Sequence, residues 1–138
     1  MGSEQVAAER GFAPGFRFSV IDAVILLAAV PASVVLWGLH PWLGVACGFV
    51  TAHFFLFCNV LRMERGLELC WAAGFVGLAV AAEVLGWIGW PVALAGAVGL
   101  TAVLVWVQVH RPSYHGVAWQ AINPDLPEWW RRQRESGR

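Results

Sequence analysis

Few residues of this chain could carry chemistry, and they fall into two groups. The first is three polar side chains inside apolar runs: His53, Glu83 and Thr101. A neutral imidazole in an apolar run can hydrogen-bond to a hydroxyl such as that of Thr101 or to a backbone carbonyl. It can instead serve as an axial ligand to haem or chlorophyll if an open pocket lies beside it. A carboxyl at Glu83 has three options: it can lean toward the nearer polar boundary, stay protonated, or bind a proton or cation along a transport path. Ser33 falls at a similar depth and is a candidate hydrogen-bond partner for it.

The second group is denser. Asp22, Asn59, Arg62, Arg65 and Glu68, with Glu64, lie close to the ends of apolar runs. An ionisable group at membrane depth costs a few kcal/mol (about 2.5–3.5 at a helix centre) unless it is paired or wetted. The economical reading is a network at the membrane edge that ties the first span to the turn at 62–66. The functional alternative is an ion or headgroup site, or a patch gripped by a partner subunit.

Other chemistry is excluded by residue type. All nine basic residues are arginines, so no lysine can form a Schiff base with retinal or pyridoxal phosphate. Cys47, Cys58 and Cys70 contain no Cys-x-x-Cys pair and read as small apolar packing residues. No helix carries two histidines at metal-ligand spacing, and no Ser/His/Asp set is evident. The expectation is therefore no catalytic residue, no metal and no enzyme activity. His53 is the one candidate cofactor ligand, and the sequence names no cofactor for it.

These residues must be positioned by membrane spans. Of 138 residues, 59% are hydrophobic and 13% charged, against about 25% charged in a soluble domain. Nine tryptophans point the same way. Four apolar runs, at about 18–39, 41–61, 67–87 and 91–109, are each long enough to cross a hydrocarbon core of about 30 Å. Pro31 should kink the first, and Pro41 and Pro91 suit helix starts. The connections are short, so the expected fold is an all-α membrane protein: four transmembrane helices as two antiparallel hairpins.

Arginine placement orients them. Arg10 and Arg17 precede the first span, Arg62 and Arg65 separate the second from the third, and Arg111, Arg131, Arg132, Arg134 and Arg138 follow the fourth. The other two turns hold no Asp, Glu, Lys or Arg. The positive-inside rule puts both termini and the 62–66 turn in the cytoplasm. The opposite side offers short turns rimmed by Trp37, Trp42, Trp87 and Trp90, an aromatic belt. Exclusive use of arginine fits a GC-rich bacterial genome, hence a bacterial cytoplasmic membrane.

The ends complete the domain plan: a cytoplasmic arm at 1–17, the bundle at 18–110 and a cytoplasmic amphipathic tail at 111–138. Phe12 and Phe16 could rest the arm at the interface. In the tail, Asp125 and Glu128 fit a capping box, which predicts a short helix at 126–134. That helix sets Trp129 and Trp130 beside Arg131, Arg132 and Arg134, a combination suited to an anionic membrane surface or to docking a cytoplasmic partner.

Small residues recur at four-residue spacing: Gly44, Gly48 and Ala52 in the second span, Ala73, Gly77 and Ala81 in the third, Ala95 and Gly99 in the fourth. Such stripes let helix backbones approach closely, and three of them exceed what four helices need among themselves. The leading expectation is a non-enzymatic accessory subunit of a larger membrane assembly. Its partners are the lipid bilayer and other membrane subunits in a homo- or hetero-oligomer, not nucleic acid. The alternatives are a small oligomeric channel or transporter using Glu83 and His53, and a cofactor- or pigment-binding subunit using His53.

Overall fold

A computed structural model describes residues 12–136. Arg10 and Arg138, and most of the predicted arm, lie outside the described residues. The described chain contains four long helices, α1 (Val20–Leu39), α2 (Pro41–Leu61), α3 (Arg65–Glu83) and α4 (Trp90–Val109), each long and apolar enough to cross a membrane. Two short helices follow, α5 (Trp119–Ile122) and α6 (Leu126–Ser136).

Local sequence sets most helix ends. Ser19 and Asp22 form a capping box at the start of α1: Ser19 Oγ accepts from Asp22 N, and an Asp22 carboxylate oxygen accepts from Ser19 N at 2.6 Å. The helix continues through Pro31 and stops at His40, whose extended backbone (φ −150°) releases the chain into Pro41 at the first turn of α2. α2 ends differently. Its last six residues, Leu56–Leu61, wind as a wider π-helix, and Arg62 closes it in the left-handed region at φ 49°. That conformation costs an L-residue roughly 1–2 kcal/mol, so something nearby must hold it.

Two corrections to the sequence expectation concern α3. It begins at Arg65, inside the predicted charged turn, and it ends at Glu83 rather than near 87. Residues 84–87 (Val-Leu-Gly-Trp) are apolar, so hydropathy cannot see the end. Gly86 can: it adopts φ 63°, and the Leu85 and Trp87 N–H groups bond back to Val80 and Ala81 carbonyls.

α1 packs along α2, and α3 along α4. The first contact depends on Gly44, where a Cβ would come within 2.5 Å of Trp37 N and 2.7 Å of Ser33 O. The second uses Gly74 and Gly96, which face Leu100 and Leu78. Gly44 is the stripe residue that meets the expectation, and the others behave otherwise. Gly48 has only the Ser33 hydroxyl nearby, Ala52, Ala73 and Ala95 are exposed, and nothing lies within 4 Å of a Cβ at Gly77 or Gly99. Helix rotation decides this, and spacing alone cannot report rotation.

The core is an aromatic seam joining α2 to the second helix pair. Phe49 and Phe57 of α2 meet Trp71 and Phe75 of α3, and Trp42 stacks on Trp90 of α4 at 6.3 Å and 7°. Trp90 is thus buried and leaves the predicted belt, whereas Trp37 and Trp87 stay exposed. Between 6% and 22% of each span is buried within the protein. Much of the rest is exposed apolar surface, on helices long and apolar enough to cross a membrane.

The glycine contacts set a contrast. Gly44→Ala should separate α1 from α2 and cost about 1–3 kcal/mol by overpacking. Gly77→Ala should be neutral or stabilise by up to about 1 kcal/mol, since it only improves helix propensity. Thermal unfolding of both variants in one detergent checks this, and equal melting temperatures would contradict it.

Candidate functional site

The arginine-rich end of the bundle is built around the last turn of α2. A helix C-terminus leaves its final carbonyls without helical partners. Here the arm, the tail and α4 supply them. Arg17 N donates to Asn59 O at 3.1 Å, Val117 N to Val60 O at 2.9 Å, and Gln108 Nε2 to Arg62 O at 3.5 Å. Met63 N turns back to Phe57 O at 2.8 Å. Gly116 fits because it has no side chain: a Cβ there would lie 2.6 Å from Leu61 O. The Arg62 guanidinium reaches Ala13 O, fixing both the arm and the left-handed Arg62. Burial holds the Arg62 guanidinium below its ordinary value, and the nearby Arg17 charge acts in the same direction.

The expected edge network is present as separate contacts rather than one patch. Asn59 is buried, and with its amide nitrogen turned toward two acceptors it donates to Arg17 O at 2.6 Å and Asp22 Oδ2 at 3.0 Å. That joins α1 to α2. Glu68 accepts from Cys58 Sγ at 3.4 Å. Glu64 pairs with Arg111 and accepts from the Ser113 hydroxyl at 2.8 Å, linking the start of α3 to the tail. Arg65 is exposed.

His53 sits in the aromatic seam. Its ring lies 4.7 Å from that of Trp71 at 15°, with Phe49 at 4.1 Å on its own helix, and its Nδ1 is 2.8 Å from Phe49 O. Of the two partners open to this imidazole, the backbone carbonyl is used and the Thr101 hydroxyl is not. Trp71 Nε1 donates to Thr101 Oγ1 at 2.8 Å, and Thr101 donates to Ala97 O. Trp71 thus stacks on His53 and holds Thr101. The His53 ring is half-buried, with Phe49 and Trp71 beside it and its Nδ1 directed at Phe49 O.

Glu83 is placed differently from expectation as well. It is the last residue of α3, not a residue within its outer half, because α3 stops early. Its Oε2 accepts from Trp90 Nε1 at 2.8 Å, and its Oε1 lies 3.4 Å from His40 Nε2. Ser33 instead packs on Gly44 and Gly48.

In the tail, α6 carries Trp129, Trp130, Arg131, Arg132 and Arg134. Phe12 of the arm contacts Trp119 and Trp130, both at 5.8 Å, and the Arg134 guanidinium lies 5.8 Å from the Trp130 ring. Arg131, Arg132 and Arg134 are exposed.

Sequence reasoning missed Gln108, Tyr114 and Gly116, all buried. A glutamine in an apolar run and the lone tyrosine were visible signals. Their partners, at 46 residues' separation for Gln108 and Arg62, were not. Among the described residues no group of three or more His, Cys, Asp or Glu side chains could hold a metal ion. Comparison with known proteins finds no matching family model, curated protein or solved structure.

Two outcomes follow. Asn59→Ala should destabilise the bundle by about 1–3 kcal/mol, because it strips a buried hydrogen-bonding group from its partners; chemical denaturation in detergent measures it. Tyr114 donates to Val117 O at 2.8 Å, and burial raises its phenol above the ordinary 10.0. The docked tail therefore keeps this contribution at neutral pH and loses it as pH rises through the raised value. As the only tyrosine, it can be followed by phenolate absorbance. The midpoint should exceed 10.0 in the wild type and fall back in Gly116→Val, which cannot dock.

Proposed function

We propose that this protein is a non-enzymatic subunit of a larger membrane assembly, packing through its helix surfaces against other transmembrane helices. The carrying observation is where the small residues point. α3 and α4 meet through Gly74 and Gly96, yet Ala73, Ala95, Gly77 and Gly99 face outward, with open space beside the two glycines. Helices in lipid gain little from hydrophobicity and associate by close backbone approach. A surface that meets only acyl chains has no use for such faces.

In this reading the protein lies in a bacterial cytoplasmic membrane with both termini and the 62–66 turn inside. The tail helix rests at the inner interface, with Trp129 and Trp130 at headgroup level and Arg131, Arg132 and Arg134 toward anionic lipid. The transport reading draws less support, because His53 and Glu83 belong to separate clusters; the pigment reading would rest on His53 Nε2 alone, since Nδ1 is taken by Phe49 O.

Purification in mild detergent should yield a particle whose protein mass exceeds the 15.1 kDa of one chain. Gly77→Leu with Gly99→Leu should reduce it to a folded monomer. A monodisperse wild-type monomer with no co-purifying protein would overturn the proposal. For orientation, Ser136→Cys in a background lacking Cys47, Cys58 and Cys70 should resist a membrane-impermeant thiol reagent in intact cells and react once they are lysed.

A further inference from the structure

At the arginine-rich end of the first helix pair, an apolar groove runs up to two guanidinium groups. Ile25 and Leu26 of α1 and Thr51, Phe54 and Phe55 of α2 line this shallow surface groove, with Asp22 at the end nearest the 62–66 turn. Thr51 spends its hydroxyl on Cys47 O, so the groove below Asp22 is apolar in character. Phe16 and Phe18 meet it at its mouth: their rings lie 6.1 and 5.9 Å from that of Phe55. Arg17 stands between these two phenylalanines in the chain. Its backbone is fixed there, because its N–H donates to Asn59 O and its carbonyl accepts from the Asn59 amide.

We propose that this corner binds one anionic phospholipid, its phosphate on Arg17 and Arg62 and the first part of an acyl chain in the α1/α2 groove. Charge complementarity selects the headgroup. Arg17 is exposed, and its guanidinium makes no hydrogen bond or ion pair among the described residues. Arg62 spends one amino group on Ala13 O, a neutral acceptor. The two charges lie close enough for Arg17 to hold the Arg62 guanidinium down, so an anion shared between them relieves a repulsion. The nearby carboxylate is already engaged: Asp22 is buried, and its Oδ2 accepts from Ser19 N, Ser19 Oγ and the Asn59 amide. Guanidinium N–H groups match phosphate oxygens in pairs. The groove selects a lipid over free phosphate. From Asp22 to Leu26 it follows about 6 Å of helix, enough for the methylenes next to the glycerol, which gain dispersion contacts with both helices there. Gly77 and Gly99 lie on α3 and α4, so this site stands apart from the subunit contacts proposed above.

The test is native mass spectrometry of the full chain in detergent, titrated with phosphatidylglycerol or with phosphatidylcholine of the same acyl chains. The wild type should hold one phosphatidylglycerol about fivefold more tightly than phosphatidylcholine, whose phosphate carries its own cation. Arg17→Gln keeps the backbone bonds to Asn59 and should erase that preference. Arg131→Gln with Arg132→Gln should keep it, which separates this site from the tail. Leu26→Trp, which fills the groove, should weaken retention of both lipids, and glycerol phosphate should fail to displace the bound lipid. Equal binding of the two lipids by the wild type overturns the proposal without recourse to any variant. So does a preference that survives in Arg17→Gln or is lost in the tail variant, retention unchanged by Leu26→Trp, or displacement by glycerol phosphate.

Discussion

The arrangement of this protein depends on pairing the carbonyl groups at the end of α2. A backbone carbonyl left bare at an apolar boundary costs several kcal/mol. The π-wound end of α2 leaves those of Asn59, Val60 and Arg62 to be met from outside the helix. They are met by Arg17 N, Val117 N and Gln108 Nε2, three donors from three distant parts of the chain. This one requirement draws the arm, the end of α4 and the tail to a single place. It also explains Arg62: its strained backbone is held at both ends, by Ala13 through the guanidinium and by Gln108 through the carbonyl.

Above that point the two helix pairs meet by aromatic contact. Trp71 is the pivot, touching Phe49, His53, Phe57 and Phe75 and donating to Thr101. A seam of rings satisfies two demands of an apolar setting. It offers large contact area in lipid, where dispersion rather than water drives packing, and it gives indole N–H groups fixed acceptors. His53 belongs to this seam by shape. Its Nδ1 lies 2.8 Å from Phe49 O on its own helix.

Much of the plan was legible early. Pro41 and Pro91 mark helix starts, the apolar runs have spanning length, and Asp22 and Asn59 of the expected edge network do meet, though they join α1 to the end of α2 rather than to the 62–66 turn. The failures share a cause. The end of α3 was missed because Gly86 acts through its backbone while its neighbours stay apolar. Gly77 and Gly99 share the spacing of Gly44 but make no contact within the chain, because spacing shows periodicity but not which way a helix is turned. Depth alone leaves Thr101 open to His53, whereas Trp71, on a third helix, is the residue that reaches it.

The sequence by itself determined four helices of spanning length, their short connections and the division of charge between the ends, because these depend on hydropathy and residue type along the chain. Only the tertiary structure decided the partners: Val117 for Val60, Trp71 for Thr101, and His40 with Trp90 for Glu83. Those pairings depend on how helices rotate about their axes and where distant segments return. Both are set by close packing around Gly44, Gly74, Gly96 and Gly116, and of these the small-residue spacing marks Gly44 alone.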